Sequence, residues 1–191
     1  MVVDDVAAAL RSRDAVGPAF VAGCAERMAL FFTGSRGGIP SRADDVELYV
    51  RAVDLLWDGQ AGFASTAGAV AALPELVSQE ELTDDTDIDA FQAALTLHYA
   101  LSYRVDGDVE HAAACAHVVW TAMGLLDNNI AGAALADAEL GRQREVLAMG
   151  EVSPAALARL RAEDQALSRE RFSAACGEHE EAEWQAALEL P

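Results

Sequence analysis

The chain has 191 residues, with 32 acidic, 13 basic and 52 % apolar side chains, and a single domain of this size buries about 70 % of its unfolded surface. Lysine is absent, which excludes Schiff-base catalysis, a lysine anchor for pyridoxal phosphate and the lysine of a P-loop. The net charge of −19 argues against a nucleic-acid partner, because phosphate binding requires a cationic surface.

Composition favours a soluble cytoplasmic protein from a bacterial genome rich in GC codons. Alanine occurs 41 times, and all 13 residues counted as basic are arginines. The first ten residues contain two aspartates and no base, unlike a secretory signal. The longest uncharged runs have 16 residues, fewer than the roughly 20 that span a bilayer. We therefore expect no membrane partner. Because the three cysteines are widely spaced and odd in number, we expect reduced thiols.

Apolar residues recur at helical spacing along the whole chain, and no segment alternates as a strand does. The sequence therefore predicts an all-α fold, a single compact bundle of about seven to nine helices over residues 1–191. A first helix begins near Asp4, and Pro18 suits the first position of a second helix that ends near Phe32. The glycines and arginines of residues 34–43 predict an exposed, mobile loop.

The next part of the chain is acidic. A helix begins with Asp44 as its cap and ends at Gly59, and residues 75–89 then contain seven acids and no base. No arginine occurs between Arg51 and Arg104, so we expect a uniformly negative surface here. Solvation of the fold is one interpretation of that surface, and recognition of a basic partner is the other.

Two apolar helices, residues 89–105 and 108–126, are expected at the centre of the bundle, because apolar residues occupy all sides of both. The Asp-Gly-Asp sequence between them predicts a tight turn with a cap at Asp108, and hence an antiparallel hairpin. Two further helices follow, the second starting at Pro154 with leucines along one side. Residues 180–191 form either an acidic tail or a docking helix.

Three polar side chains inside the hairpin are candidate metal ligands. In an antiparallel pair closed at Gly107, His98 lies level with Cys115, and His111 lies one turn from Cys115 on the same face. Imidazole and thiolate ligands suit Zn²⁺, so one hypothesis is a zinc site at His98, His111 and Cys115. A second hypothesis is a cysteine nucleophile with a histidine as its base, and a third is that these are structural polar groups with hydrogen-bond partners. The sequence contains no di-iron, zincin or serine-hydrolase motif, so no catalytic residue is assigned.

Two segments carry a family resemblance. They read Cys24-Ala25-Glu26-Arg27-Met28, then Tyr49-Val50-Arg51 and Asp54-Leu55-Leu56-Trp57. They resemble the YjaG-like bacterial family of unknown function, in which the patterns are Cys-x-Glu-Arg-Met, Tyr-x-Arg and Asp-Leu-x-Trp. The resemblance implies a single all-helical cytoplasmic domain and brings no catalytic residues. This chain departs from the family by the glycine-rich insertion between the two segments.

The charged residues of these segments admit two interpretations. Glu26 with Arg51, or Arg27 with Asp54, would form a charge network that locks two helices together. Alternatively, the same charges line a polar binding pocket that two aromatic rings cap. The residues of that pocket would be Glu26, Arg27, Tyr49, Arg51, Asp54 and Trp57.

We expect a non-enzymatic acidic interaction module that binds a basic protein, as an adaptor or an immunity protein does. The rival expectation is a small-molecule binder or enzyme with a pocket inside the bundle, metal-dependent if the hairpin ligands hold zinc. No other cofactor is predicted, and a homo-oligomer is compatible with both expectations.

Overall fold

Nine α-helices make up the described part of the chain. The computed structural model describes residues 3–59, 61–78, 84–150 and 152–188, without the side chains of residues 3, 4, 14, 85 and 178–188. The helices are α1 (Val3–Ser12), α2 (Gly17–Gly37), α3 (Ala43–Asp58), α4 (Phe63–Ala71), α5 (Pro74–Val77), α6 (Asp85–Asp106), α7 (Val109–Asn129), α8 (Leu135–Leu147) and α9 (Pro154–Leu188). Because no strand occurs within these ranges, the predicted all-α bundle is confirmed.

The helix α2 lies at the centre of the bundle. Fourteen of its 21 residues are buried, and it packs against α3, α6, α7, α8 and α9. It runs antiparallel to α6, because Gly17 lies against Tyr103 while Arg36 pairs with Asp87. Each side of α2 therefore has a different neighbour, and its side chains can link elements that are distant in sequence.

The predicted hairpin of α6 and α7 is confirmed. Gly107 follows α6 with φ of 74°, a left-handed conformation that glycine adopts without strain. Asp108 then caps α7 by accepting a 3.0 Å hydrogen bond from the backbone N–H of Glu110. The two-residue connection makes the helices antiparallel, and Cys115 faces Thr96 across the pair.

The outer side of α7 is more exposed than the sequence predicted. Trp120 is 38 % exposed and Leu125 is 42 % exposed, so the expectation that both hairpin helices are buried on all sides is wrong for α7. Among the described residues, α7 is also the one helix long and apolar enough to cross a membrane, and half of that stretch is buried inside the bundle. A core helix of a helical bundle has the same composition.

Residues 34–43 are mostly exposed, as expected, but they do not form the expected loop. The helix α2 continues to Gly37, and a single 3-10 turn leads from there into α3. Arg36 and Arg42 both donate to the buried carboxylate of Glu75, each with a contact of 2.7 Å. Burial alone would raise the pKa of Glu75, but the hydrogen bonds from Arg42 and Arg36 hold that pKa below its ordinary value. The segment is therefore anchored against α5 by charge pairs that glycine content does not reveal.

Two helix boundaries complete the comparison. The helix α3 begins at Ala43 without a side-chain cap, so Asp44 lies in its first turn and is not the predicted cap. The helix α9 begins at Pro154 as predicted, with the hydroxyl of Ser153 accepting from the N–H of Ala156. The acidic tail or docking helix expected at 180–191 has a helical backbone through Leu188, while its side chains and residues 189–191 lie outside the described residues.

Candidate functional site

A polar interface joins α2 to α9. Glu26 pairs with Arg161 at 3.1 Å, and the backbone N–H of Leu30 donates to the hydroxyl of Ser168 at 3.3 Å. Because the paired residue numbers rise together, the two helices run parallel. Over residues 154–177, whose side chains are described, the residues that α9 buries recur every three or four positions, and most of them are polar. They are Leu160, Asp164, Ser168, Arg171 and Ala175.

Arg27 lies at the centre of this interface and is 1 % exposed. Its Nε and Nη2 donate to the two carboxylate oxygens of Glu139 at 2.9 and 2.7 Å, and its Nη1 donates to Oδ1 of Asp164 at 3.0 Å. A bidentate arginine–carboxylate pair is a strong, directional arrangement. Burial alone would lower the pKa of Arg27, but the charges of Glu139 and Asp164 outweigh burial and raise it well above the ordinary value. Arg27 is therefore a permanent buried cation.

Glu139 on α8 binds more than one cation. Its Oε2 also accepts from Nη1 of Arg171 at 2.8 Å, and its Oε1 accepts from Nε2 of Gln143 at 2.9 Å. Gln143 donates in addition to the backbone oxygen of Ala116 on α7. Burial alone would raise the pKa of Glu139, but the charges of Arg27 and Arg171 hold that pKa below its ordinary value. The carboxylate is therefore ionised at neutral pH.

Asp164 on α9 is the second buried anion. Its Oδ1 accepts from Arg27 and also from Nε of Arg142 at 2.9 Å. Its Oδ2 has no hydrogen-bond partner within the described structure, and a Cβ added to Gly23 would lie 2.5 Å from this oxygen. Because Gly23 has no side chain, α9 can approach α2 closely enough for the Asp164 carboxylate to reach Arg27.

These residues form what we call the buried ion-pair network: Arg27, Glu139, Asp164 and Arg171. The two cations and two anions balance in charge, and each is at most 2 % exposed. The backbones of α8 and α9 make almost no direct contact, so the network and Arg142 bridge the space between them. A charge-balanced, nearly sealed set of groups offers no site for a substrate, and its physical role is to fix three helices on one another.

A second polar cluster lies beside the buried ion-pair network, around Glu26. Oε2 of Glu26 accepts from the indole N–H of Trp57 at 2.8 Å and from Nε of Arg161 at 3.1 Å. Arg161 also pairs with Asp54 and lies 6.0 Å from the centre of the Trp57 ring. Glu26 and Trp57 therefore meet directly, while Asp54 is joined to Glu26 through Arg161 of α9.

The two pairings predicted from the sequence do not form. Arg51 is exposed and pairs with Glu47 at 3.0 Å, one turn away on the surface of α3, so Arg51 is not the partner of Glu26. Arg27 pairs with Glu139 and Asp164 instead of Asp54. The predicted pairs joined α2 only to α3, so the prediction missed the partners that α8 and α9 supply.

Tyr49 is a core residue. Its ring is fully buried and stacks on Phe32 with centroids 4.6 Å apart, and its hydroxyl donates to the backbone oxygen of Ala93 at 3.2 Å. Burial raises the pKa of the Tyr49 phenol well above its ordinary value. A neutral, hydrogen-bonded tyrosine in this position packs the core, while the predicted pocket would need its ring at a cavity wall.

The three predicted metal ligands have different surroundings. Cys115 is fully buried and donates to the backbone oxygen of Thr96 at 3.5 Å, whereas His111 is half-buried and lies 3.2 Å from a carboxylate oxygen of Asp106. Nδ1 of His98 is buried and has no hydrogen-bond partner among the described residues, and burial, followed by the charge of His111, lowers the pKa of His98. No group of three ligating side chains occurs in the described part of the chain.

Two cavities lie elsewhere on the described surface. A groove of about 210 Å³ runs between α8 and α9, with an apolar floor of Val146, Met149 and Leu160 and charged edges that include Arg142 and Arg159. A much smaller cavity of about 10 Å³ lies between Trp120 and Gln143. The first is smaller than the roughly 300 to 1,000 Å³ of common ligand pockets, and the second has room for about one water molecule.

Sequence reasoning missed Glu139, Asp164 and Arg171. A helical period was present: in α9 the polar residues Asp164, Ser168 and Arg171 follow one another at spacings of four and three. From the sequence alone, such a row of polar residues looks like a helix face exposed to solvent. Its burial becomes apparent only when the opposite charges of α2 and α8 are known to face it. Comparisons of this chain with protein-family models, with curated proteins and with solved structures found no match, so the family resemblance of the α2 and α3 segments stays a prediction.

Proposed function

We propose that this protein is a non-enzymatic interaction module that binds a basic protein through what we call its acidic end. The acidic end is the set of carboxylates at the beginnings of α3 and α6, including the residue that caps α6, and on α5. These residues are Asp44, Asp45, Glu47, Glu75, Asp84, Asp87 and Asp89.

The fold brings these carboxylates together. Phe32 packs on Tyr49, while Arg36 bonds to Glu75 and Asp87, so the end of α2 meets α5 and the beginnings of α3 and α6. Arg36, Arg42 and Arg51 pair with four carboxylates of this set, and the set carries seven negative charges against these three positive ones. This surplus of negative charge at one end supports the proposal, because complementary charge steers a basic partner to its site.

The structure also refines the expectation of a uniformly solvated acidic face. Glu75 points inward to Arg36 and Arg42, and Asp87 shares Arg36. Residues 79–83 of the same stretch lie outside the described residues. Asp44, Glu47 and Asp84 are exposed, and they are the carboxylates a partner would meet first.

A capture experiment with matched charge variants tests the proposal. The intact protein, the variant Asp44→Asn/Glu47→Gln/Asp84→Asn and the control Asp58→Asn/Asp108→Asn/Glu110→Gln are immobilised and exposed to lysate of the source organism. Asparagine preserves helix caps, so both variants change the charge equally with little effect on the fold. We expect a basic protein to bind the intact chain and the control about tenfold more tightly than the acidic-end variant.

Salt dependence gives the second readout. Raising NaCl from about 0.1 M to about 1 M shortens the Debye length from about 10 Å to about 3 Å, so binding of the recovered protein should weaken steeply. Equal binding by the intact chain and the acidic-end variant, or binding that salt does not weaken, would contradict the proposal.

The alternative function is binding of a small molecule, and the groove between α8 and α9 is the observation that favours it. A ligand bound only by the native state raises its melting temperature. Thermal-shift screening should find a ligand whose effect is abolished by Leu160→Trp if the groove is its site. Elemental analysis of the purified protein tests the zinc hypothesis for His98, His111 and Cys115 in the same preparation.

A further inference from the structure

The groove between α8 and α9 lies towards the opposite end of α2 from the acidic end. Glu26 pairs with Arg161, and the backbone N–H of Leu30 donates to Ser168, so the first turns of α9, which line the groove, lie beside the first half of α2. The acidic end lies where α2 ends, at Arg36. A ligand in the groove therefore leaves the acidic end free for a protein partner.

The floor of the groove suits a small aliphatic group. Val146 and Leu160 are 2 % and 4 % exposed, and Met149 and Ala156 are half-buried and line the same groove. Methionine is flexible and adapts its shape to an apolar neighbour. The volume of about 210 Å³ equals that of about seven water molecules in the liquid, which gives room for a ligand of roughly seven to ten non-hydrogen atoms.

The edge of the groove carries charges of both signs in different places. Arg142 donates to Glu163 at 3.0 Å and to Glu145 at 3.4 Å. Its Nε also donates to Asp164 at 2.9 Å, so carboxylates are in excess around this arginine. The side chains of Glu145 and Glu163 are 71 % and 49 % exposed and have oxygens available to a ligand. Arg159 is exposed and forms no ion pair with another described side chain.

We propose that this groove binds a free amino acid with an aliphatic side chain of about the size of leucine. Arg159 and Glu163 lie one turn apart on one face of α9, where Cβ atoms are about 5 to 6 Å apart. That spacing suits an ammonium and a carboxylate carried by one carbon atom. The ligand carboxylate pairs with Arg159, its ammonium pairs with Glu163, and its side chain lies on Leu160.

A zwitterion satisfies both signs of charge at once. An aliphatic acid without the ammonium gives Glu163 no new partner, and an aliphatic amine without the carboxylate leaves Arg159 unpaired. Each of these ligands should therefore bind more weakly than the amino acid. This inference rests on the alternative function of the groove and is independent of the acidic end.

Nuclear magnetic resonance titration of the isotope-labelled full chain tests the ligand class. The probes are L-leucine, isocaproate, which is leucine without its ammonium, and isoamylamine, which is leucine without its carboxylate. The amide signals of Val146 and Leu160 report binding in the groove. We expect leucine to bind about tenfold more tightly than either analogue, because each analogue lacks one charge pair.

Matched variants assign each charge to its partner. Arg159→Gln should weaken the binding of leucine about tenfold and leave that of isoamylamine unchanged, because only the carboxylate pair is lost. Glu163→Gln should weaken the binding of leucine and leave that of isocaproate unchanged. The control Arg169→Gln removes an exposed arginine of α9 that does not line the groove, and it should leave all three affinities unchanged.

Three results would overturn the proposal. They are the absence of any shift of the groove amides with leucine, equal affinities for leucine and isocaproate, and equal effects of Arg159→Gln and Arg169→Gln. If leucine fails while a ligand from the thermal-shift screen still loses its effect in Leu160→Trp, the groove binds a different chemical class. Failure of this inference is thereby distinguished from failure of the alternative function.

Discussion

The two sides of α2 are held by different physics. Towards the hairpin, α2 packs on helices whose buried side chains include the apolar Leu97, Leu101 and Val119, and the contribution of such side chains scales with the area removed from water. Towards α8 and α9, the partners are Glu139 and Asp164, whose contribution depends on opposite charges being present together. An apolar contact loses stability in proportion to the atoms removed, whereas a buried charge that loses its partner becomes a net cost.

The largest effect is therefore expected from removing the cation. Arg27→Met keeps the length of the side chain but leaves Glu139 and Asp164 buried without it, which should lower the free energy of unfolding by about 3 to 5 kcal/mol. Denaturant titration measures this loss. The matched control is Arg51→Met, whose surface pair with Glu47 should be worth no more than about 0.5 kcal/mol. Losses of similar size in the two variants would contradict the contrast between buried and exposed arginines.

The pH dependence distinguishes the two sides of α2. The folded-state pKa of Glu139 is held below its ordinary value by Arg27 and Arg171 against the effect of burial. Its ionised form therefore adds stability above the unfolded pKa of about 4.3, and that stability is lost as the pH falls through the folded-state pKa.

Glu139→Gln should accordingly cost about 2 kcal/mol at pH 7, as the loss of a buried charged hydrogen-bond acceptor does, and this cost should shrink as the pH falls below about 4.3. Leu101→Ala on the apolar side is the control, with a cost of about 2 to 5 kcal/mol that stays constant over the same pH range. Denaturant titrations at a series of pH values compare them. A cost of Glu139→Gln that does not shrink in acid would mean that the charge of Glu139 contributes little.

The approach of α9 to α2 predicts a smaller effect. In Gly23→Ala the new methyl group would lie 2.5 Å from Oδ2 of Asp164, so the helices must separate, at a cost of about 1 to 3 kcal/mol. Gly124 in α7 has open space around its Cα, and Gly124→Ala should stabilise the protein by about 0.5 to 1 kcal/mol through helix propensity. Thermal unfolding of both variants tests this difference in sign, and stabilisation by Gly23→Ala would contradict the close approach.

Helix capping should give the smallest effect. Asp108 accepts from the N–H of Glu110 at the start of α7, so Asp108→Ala should cost about 1 kcal/mol. Asp44 lies inside the first turn of α3 without a capping bond, so Asp44→Ala should cost no more than a few tenths of a kcal/mol. Equal losses of stability in the two variants, measured by thermal unfolding, would contradict the claim that Asp108 caps its helix and Asp44 does not.

The same contrast explains what could be predicted from the sequence. The hairpin turn at Gly107 and Asp108, and the start of α9 at Pro154, follow from local backbone chemistry, and the structure confirms them. Local rules failed where a distant charge decides the conformation: residues 34–43 are ordered by Glu75, and Arg27 pairs across the bundle.

The candidate site was predictable only in part. The segments containing Glu26, Arg27, Asp54 and Trp57 were recognised as carrying polar groups among apolar neighbours. The structure places Glu26, Arg27 and Trp57 at the interfaces of α2, and it pairs Asp54 with Arg161 of α9. Their partners Glu139, Asp164 and Arg161 could not be assigned, because a charged stripe in α9 has the same sequence pattern whether it faces solvent or a buried arginine. Arg51 was assigned to the same charge network or pocket as Arg27 on the same kind of sequence pattern, but it lies on the surface.

A double-mutant cycle on Arg27 and Glu139 tests the central claim most directly, because it isolates the interaction between the two charges from all other effects of each substitution. The free energies of unfolding of the wild type, Arg27→Met, Glu139→Met and the double variant should give a coupling of about 1 to 3 kcal/mol, with the double variant less destabilised than the two single losses added together. Losses that add to within about 0.5 kcal/mol would contradict the claim that this buried pair holds α8 on α2.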